Sequence, residues 1–356
     1  MCGNDLLCRA IANGLLIILS AGLLLNSNAE NNLESETVLR TVLMEQATED
    51  TQSLPDSLKQ YSAVIESTVD FERVKANLLT EEEKAKSIEI AGTINVYERA
   101  NNVYQMNELM LEENGAISVE IYSYPGHFSF RRSVSDKYIR SDYSEGEGVL
   151  SEDGLIGVKE FSPEHAKQMS DQILDKLNLP FSFEWYETEA YIPTEETYLT
   201  IGFYVVDYRI TLDGIPVEMK YASSFNRNHG EPEYTPANMY GVRVKVFQDG
   251  VYEILCEWFD LEQGPREINQ MISAKEAWVI AEELLNDRKY VVQNDVNFEA
   301  EDVNSVEFGY VVTTDNKKQK YVIVPCWNFL VSRTIGLIYK GIRINAENGE
   351  IISVSW

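Results

Sequence analysis

A capped amphipathic helix followed by alternating strands occurs twice in this sequence, and this repeated order constrains the fold more than any other feature. The first copy begins at Ser162 and Pro163, which suit the N-cap and the first helical turn. The second begins at Ser273, with Glu276 at the capping-box spacing. The apolar residues at helical spacing are Ala166, Met169, Ile173 and Leu177 in the first copy, and Ala277, Ile280, Ala281, Leu284 and Leu285 in the second.

Each helix precedes segments in which apolar and polar residues alternate with a period of two, as is typical of half-buried antiparallel strands. These segments are residues 181–192, 198–212, 306–314 and 320–331. The sequence therefore predicts an α+β fold made of repeated units, each with a helix packed on a small antiparallel β-sheet.

Two tight hairpins are also predicted. Within residues 241–258, Asp249-Gly250 separates two alternating runs, and Asp-Gly suits the two-residue turns that match strand twist. Near the C-terminus, Asn348-Gly349 lies between a predicted strand at 340–346 and the closing segment 351–356.

Composition divides the chain further. Residues 141–154 are rich in Ser, Asp, Glu and Gly and form the best boundary. We predict a signal peptide or signal-anchor at 1–29, an acidic tether at 30–58 and a strand-rich region at 59–150. A first helix-plus-sheet unit with a hairpin follows at 151–265, and a second unit follows at 266–356.

The N-terminal segment has the features of an export signal. Arg9 precedes an apolar run at 10–25, and small Ser27 and Ala29 occupy the positions that favour cleavage after Ala29. The run is short for a bilayer core of about 30 Å, which favours cleavage, with a retained signal-anchor or a buried helix as the alternatives. We predict an extracytoplasmic protein, either secreted or tethered at the outer face of the cytoplasmic membrane.

Charge excludes several kinds of partner. Asp and Glu number 58 against 30 Lys and Arg, so the net charge is -28. This charge repels phosphate backbones and anionic lipid surfaces, which excludes nucleic acid as a main partner. Contact with a membrane is predicted only through an uncleaved signal.

Two cysteines, Cys256 and Cys326, remain after the predicted signal, each in an apolar strand-like segment. They form one disulfide or are two buried thiols, and we favour the thiols. No spacing of Cys and His is typical of zinc.

No motif points to a catalytic centre. His127 lies in a predicted turn, His165 in a first helical turn and His229 in a polar loop, and none has a second His at metal-ligand spacing. We interpret all three as solvent-exposed. The sequence also lacks the common nucleophile, zinc-protease and phosphate-loop motifs. We therefore predict no catalytic, cofactor-binding or metal-binding residue and no cofactor.

Three weaker features were candidates for chemistry or binding. Glu184 and Glu187 flank two aromatic residues like acids beside a sugar platform, but on a regular strand they point to opposite faces unless a bulge intervenes. Residues 299–302 offer oxygen ligands for calcium without EF-hand spacing, so a solvated acidic loop is favoured. The tyrosines of the strand-rich centre suit either packing, which we favour, or a contact surface; they are Tyr186, Tyr191, Tyr198, Tyr204, Tyr208 and Tyr221.

The second copy carries short motifs of a known family. These are the S-x-x-E-A helix start, the run Phe308, Gly309, Tyr310, the V-P-x-W of Val324, Pro325, Trp327, and the closing Ile344, Asn345, Ala346, Gly349, Glu350, Ile351. In them the sequence resembles the extracytoplasmic PepSY-like and YycH/YycI-like proteins of Gram-positive bacteria. The likeness covers about 272–356, and it is looser over 160–260, where Ser162, Asp213, Gly214, Ile215, Pro216 and Val217 carry it. A family of clostridial cell-envelope proteins built on the same repeat fits equally well.

The resemblance implies a PepSY/YycI-like helix on a small sheet and an activity exerted by contact, because YycH and YycI restrain a sensor kinase and PepSY domains have been linked to protease inhibition. Its motif positions are fold determinants, and those relatives usually keep a membrane anchor. We therefore predict a non-enzymatic envelope protein that binds another protein, such as a sensor kinase or a protease. The alternative is an extracellular enzyme or binding protein acting on cell-wall or dietary glycans.

Overall fold

The computed structural model describes residues 58–64, 66–95, 103–113, 116–134, 139, 149–150, 158, 161–193, 199–218, 241–287, 289, 291, 298–315, 320–331 and 341–355. The predicted signal at 1–29 lies outside these residues, as does the tether at 30–58 except for Leu58. Within the described part of the chain, no helix has the length and hydropathy needed to cross a membrane. The predicted domain boundaries stay a prediction.

Strands account for most of the described chain. They are β1 (Leu58–Val64), β2 (Ile88–Asn95), β3 (Val103–Glu113), β4 (Ala116–Tyr124), β5 (His127–Arg132), β6 (Val149–Leu150), β7 (Phe183–Ile192), β8 (Phe203–Leu212), β9 (Ile215–Pro216), β10 (Gly241–Phe247), β11 (Gly250–Glu257), β12 (Asp260–Leu261), β13 (Arg266–Ile268), β14 (Val303–Asp315), β15 (Lys320–Val331), β16 (Gly341–Asn345) and β17 (Ile351–Ser355). The α-helices are α1 (Phe71–Leu78), α2 (Glu81–Lys86), α3 (Pro163–Leu177) and α4 (Ala274–Asn286), and a 3-10 turn spans Ala300–Asp302.

These strands form two large antiparallel sheets. The ten-stranded sheet has the order β2-β3-β4-β5-β11-β10-β8-β7-β6, with β9 paired to β8. The seven-stranded sheet has the order β12-β1-β15-β16-β17, with β13 paired to β1 and β14 paired to β15. Strand β15 pairs with β14 over its whole length, and β1 and β16 share its other edge.

The predicted α+β fold of repeated units, each a helix on a small antiparallel sheet, is wrong. Strand β11 pairs with both β10 and β5, so strands from 59–150 and from 151–265 belong to one sheet. Strand β1 likewise pairs with β15, far away in the sequence. These long-range pairings join what the sequence presents as separate units, and each long helix covers part of a large sheet.

The helix starts follow the predicted capping chemistry. In α3, the Ser162 hydroxyl accepts a hydrogen bond from the His165 amide at 3.2 Å, and Pro163 opens the helix. In α4, Ser273 and Glu276 form a reciprocal capping box. The C-cap of helix α3 is Asn178, which has a left-handed φ of 50°. Asparagine is one of the few residues besides glycine that adopt this conformation at helix ends.

Both predicted hairpins are confirmed. Strands β10 and β11 are joined by a turn at Gln248 and Asp249, one residue earlier than predicted, because Gly250 already pairs with Phe247. Strands β16 and β17 form the C-terminal hairpin, and Gly349 in its turn has a φ of 75°, which glycine adopts without a steric penalty.

Two cores support the sheets. The larger packs α1, α3 and β1 against the ten-stranded sheet, and the second lies under α4, where the Trp278 and Phe329 ring centroids are 5.3 Å apart. Cys256 and Cys326 are unpaired and fully buried, so the expectation of buried thiols is confirmed. Burial raises the pKa of both thiols, which keeps them neutral.

The two sheets meet where β9 reaches β14. Val217 forms a parallel bridge with Tyr310, and the Glu218 amide donates to the Tyr310 carbonyl at 2.8 Å. A Cβ at Gly309 would lie 3.0 Å from the Pro216 carbonyl oxygen, so glycine permits this close approach. This junction places side chains of β7 and β8 beside side chains of β14 and β15.

Candidate functional site

Among the residues that the structure describes, most of the outer edge of β7 has no neighbouring strand. On its inner side β7 pairs with β8, whereas on its outer side, among the described strands, it pairs with β6 only at Tyr191 and Ile192. Residues 183–190 therefore present an edge whose main-chain groups can pair with another extended segment.

A β-bulge interrupts this edge. The register shifts so that Trp185 lies opposite Tyr208 and Glu187 lies opposite Asp207, which leaves Tyr186 as the extra residue. A bulge bends a strand and redirects side chains, and bulges are frequent next to functional sites.

Trp185 projects from one side of this edge. Trp185 is 48% exposed, and its indole Nε1 donates a hydrogen bond to Thr188 Oγ1 at 3.1 Å. Because Trp185 lies opposite Tyr208, it stands on the sheet face that Tyr208 shares with α3. An indole held by one hydrogen bond and left half exposed is a large, preoriented apolar contact group.

Tyr186 and Arg209 form the other side of the edge. The guanidinium carbon of Arg209 lies 4.3 Å from the Tyr186 ring centroid, which is a cation–π contact. Arg209 also donates to Glu184 at 3.5 Å and to Glu307 at 3.4 Å. We call the group Glu184, Trp185, Tyr186, Arg209 and Glu307 the edge surface.

Behind Tyr186 and Arg209 lies a small pocket of about 20 Å³ at the junction of the sheets. Its wall includes Glu218, which forms a bidentate ion pair with the buried Arg343 of β16. Burial lowers the pKa of Arg343 and Glu218 raises it by more, so the guanidinium stays charged. This buried ion pair holds Glu218 in place in the pocket wall behind the edge surface.

Electrostatics in the pocket raise the pKa of the Glu307 carboxyl above its usual value. Burial raises the pKa of this carboxyl, Arg209 opposes the shift, and the nearby Glu218 adds to it. Arg209 lies between Glu307 and Glu184, so this guanidinium already binds both carboxyls of the edge surface.

The edge surface combines the residue types that carry binding energy in protein interfaces. Trp, Tyr and Arg are the residues most enriched among interface hot spots. Trp185 and Tyr186 are consecutive and leave the strand on opposite sides, so a partner lying along this edge contacts both. The arrangement suits recognition of another chain.

The structure corrects the interpretation of Glu184 and Glu187. The two lie opposite Arg209 and Asp207, which are two residues apart on β8 and therefore share a face. The bulge thus puts both glutamates on the same face, contrary to the expectation for a regular strand. Arginines nonetheless neutralise the acidic groups on this face. Arg209 binds Glu184, and Arg243 binds Asp207 at 2.8 and 2.9 Å.

The histidines lie apart from the edge surface. His127 is not in a turn, and its interpretation as solvent-exposed is wrong: it opens β5, its ring stacks on Tyr124 at 4.4 Å, and its Nδ1 is 3.3 Å from Glu257. His165 is in the first turn of α3, as predicted, and His229 lies outside the described residues. Across the described ranges, no three His, Cys, Asp or Glu side chains gather closely enough to hold a metal ion.

The acidic segment at 299–302 is a capped turn, with the Asp302 carboxylate accepting from the Glu299 amide at 2.8 Å. Among the tyrosines, Tyr204 and Tyr208 are packed in the core, and Tyr208 donates to Asp171 at 2.7 Å. Burial first, then Glu189, raises the pKa of Tyr191 to about 12. Tyr198 and Tyr221 lie outside the described residues.

Sequence reasoning missed Arg209, Glu307, Glu218 and Arg343. The available signal was a charged residue at an inward position of an apolar strand, as in Arg343 within Gly341–Asn345. That signal marks a buried charge but does not identify its partner.

No model of a known protein family matches the chain, and no curated protein matches its sequence. A crystal structure of an uncharacterized protein from Eubacterium rectale is similar, with a TM-score of 0.54 at 12% identity, covering 88% of this chain and 99% of that one. This likeness shows a shared fold. The Bacillus megaterium YpeB C-terminal domain matches at a TM-score of 0.35 and 14% identity, covering 80% of this chain and 94% of that one. YycH from Bacillus subtilis matches at 0.28 and 8% identity, covering 84% and 94%. Membership of the PepSY-like and YycH/YycI-like family stays a prediction.

Proposed function

We propose that this chain is an exported, non-enzymatic cell-envelope protein that binds another protein through the edge surface. The observation that carries the proposal is the half-exposed Trp185 beside the Tyr186–Arg209 contact, on a strand edge that the described residues pair only at its end. Burying such a group in a partner's pocket is typical of interface hot spots, whose truncation costs about 2 kcal/mol or more.

The partner class follows from the sequence. The N-terminal segment predicts export, and the resemblance to PepSY-like and YycH/YycI-like proteins implies a contact with a sensor kinase or a protease. An extended segment of such a partner fits the open edge, because it can pair with the main chain of β7 and place its side chains against Trp185 and Tyr186.

A glycan-directed activity is the alternative, and the raised pKa of Glu307 beside aromatic rings favours it. Glycoside hydrolysis needs two carboxyl groups that face the scissile bond from both sides. Here Arg209 lies between Glu184 and Glu307 and binds both, which favours a structural role for these carboxyls.

The test places a photo-crosslinking amino acid at position 185 of the full chain in the native envelope. The control carries it at Val279 on α4, because Val279 is also 48% exposed. We expect a discrete protein adduct from position 185 and none from position 279. In affinity capture, Trp185→Ala should lower recovery of that partner at least about tenfold, and Val279→Ala should leave it unchanged.

Equal adducts from both positions would contradict the proposal. An adduct that a glycan-degrading enzyme removes, together with hydrolysis of cell-wall glycans that Glu307→Gln abolishes, would replace it with the glycan alternative.

A further inference from the structure

Helices α1 and α3 pack beside each other, and a groove of about 220 Å³ opens between them over strands β5 and β11. Its apolar lining includes Leu78, Phe130, Met169, Ile173 and Val251. This volume is smaller than the about 300–1,000 Å³ of drug-sized ligand sites, so the groove suits only a small or slender ligand. The groove shares no residue with the edge surface.

The charge of this groove is opposite to that of the chain. Its nine lining residues include Arg132 and Lys176 but no carboxylate, although the chain has 58 Asp and Glu. Lys176 lies in the last turn of α3, and it has no ion-pair partner among the residues that the structure describes. One cation is thus available at the mouth of an apolar groove.

Arg132 is held in position by its neighbours. One terminal nitrogen donates to the Leu78 carbonyl at 3.0 Å and to Glu83 at 3.1 Å, and the guanidinium lies 5.4 Å from the Phe130 ring centroid. Within the described chain, the rest of this guanidinium has no other partner. Arg132 is thus fixed beside the groove with Glu83 compensating part of its charge, and Lys176 supplies the second cation of the lining.

We propose that this groove binds a free aliphatic carboxylate of medium chain length. The alkyl chain lies on Phe130 and Val251 between Met169 and Leu78, and the carboxylate is bound by Lys176 and Arg132. Burial of the alkyl chain drives binding, and the two cations select an anionic head over a neutral or cationic one.

The experiment titrates the full chain with decanoate and, separately, with decyltrimethylammonium, which has the same alkyl chain and the opposite charge. Binding is followed by calorimetry and by the methyl NMR signal of Met169, assigned with Met169→Leu. We expect decanoate to bind and to shift the Met169 signal, with an affinity that falls as salt rises. We expect decyltrimethylammonium to bind more weakly.

Lys176→Gln tests the head-group contact without touching the core, since Lys176 is exposed. We expect it to weaken decanoate binding about threefold to fivefold, the effect of losing one partly exposed charge contact. The matched control is Lys167→Gln on the same helix, because Lys167 binds Asp171 at 2.6 Å and does not line the groove.

The proposal is overturned if decanoate leaves the Met169 signal unchanged, or if decyltrimethylammonium binds as tightly as decanoate. It is also overturned if Lys176→Gln and Lys167→Gln behave alike. None of these results bears on the edge surface.

Discussion

The buried pair Glu218–Arg343 offers a quantitative test of the junction between the sheets. The Arg343 side chain is 2% exposed and the Glu218 side chain 13%, and the two form a bidentate contact. Glu218→Leu removes both hydrogen bonds and the counter-charge that Glu218 gives to this buried guanidinium. We expect a loss of about 3–5 kcal/mol of unfolding free energy, which is a large part of a typical total of about 5–15 kcal/mol.

The reverse single variant and the double variant complete the cycle. Arg343→Leu leaves the Glu218 carboxyl, which is closer to solvent and can bind a proton. The loss of unfolding free energy should therefore be smaller, about 3 kcal/mol. The double variant removes both charges, and we expect it to lie within about 1 kcal/mol of the native protein. The coupling between the two positions should then be about 5–8 kcal/mol, well beyond additivity.

The assay is urea unfolding of all four proteins, followed by tryptophan fluorescence and by circular dichroism. Coincident transitions define the free energy, and the slope with urea should be the same in each. A cost below about 1 kcal/mol for Glu218→Leu, or additive single effects, would refute the conclusion that this pair is buried and mutually compensating.

Two further predictions concern other parts of the fold. Gly341 and Gly250 have φ values of 155° and 154°, but a Cβ at Gly341 would collide with the Phe329 carbonyl oxygen, whereas one at Gly250 meets nothing within 4 Å. Thermal unfolding should therefore show a loss of about 1 kcal/mol for Gly250→Ala and at least about 2 kcal/mol for Gly341→Ala, and equal losses would contradict the described contact. The folded-state pKa of Glu307 is raised, so its contribution to stability is present below the unfolded pKa of about 4.3 and is lost as pH rises through the folded value. The melting temperature of Glu307→Gln relative to the native protein should accordingly rise between about pH 4 and about pH 8, and a constant difference would contradict a raised Glu307 pKa.

Local features of the fold were predictable because their determinants lie close together in the sequence. The Ser273–Glu276 capping box and the hairpin turn containing Gly349 each depend on residues within a few positions of one another. Alternation also predicted strands correctly, since it reports which side chains face a core.

Alternation does not say which strand lies next to which, because many apolar faces are equally suitable neighbours. The pairing of β5 with β11 and of β1 with β15 was therefore missed, and two large sheets were interpreted as repeated small units. The resemblance to a helix-on-small-sheet family shared this error.

The candidate site depended even more on tertiary structure. The sequence indicated Glu184, Trp185 and Tyr186 as candidate residues, but the bulge determines on which face of the sheet each side chain lies. Arg209 is 98 residues from Glu307, and Glu218 is 125 residues from Arg343, and these pairs exist because β9 meets β14 at the junction of the sheets. A charged residue within an apolar strand indicates a buried charge that requires a partner, because burying an unpaired charge is costly. Which residue becomes that partner depends on the packing of the whole chain.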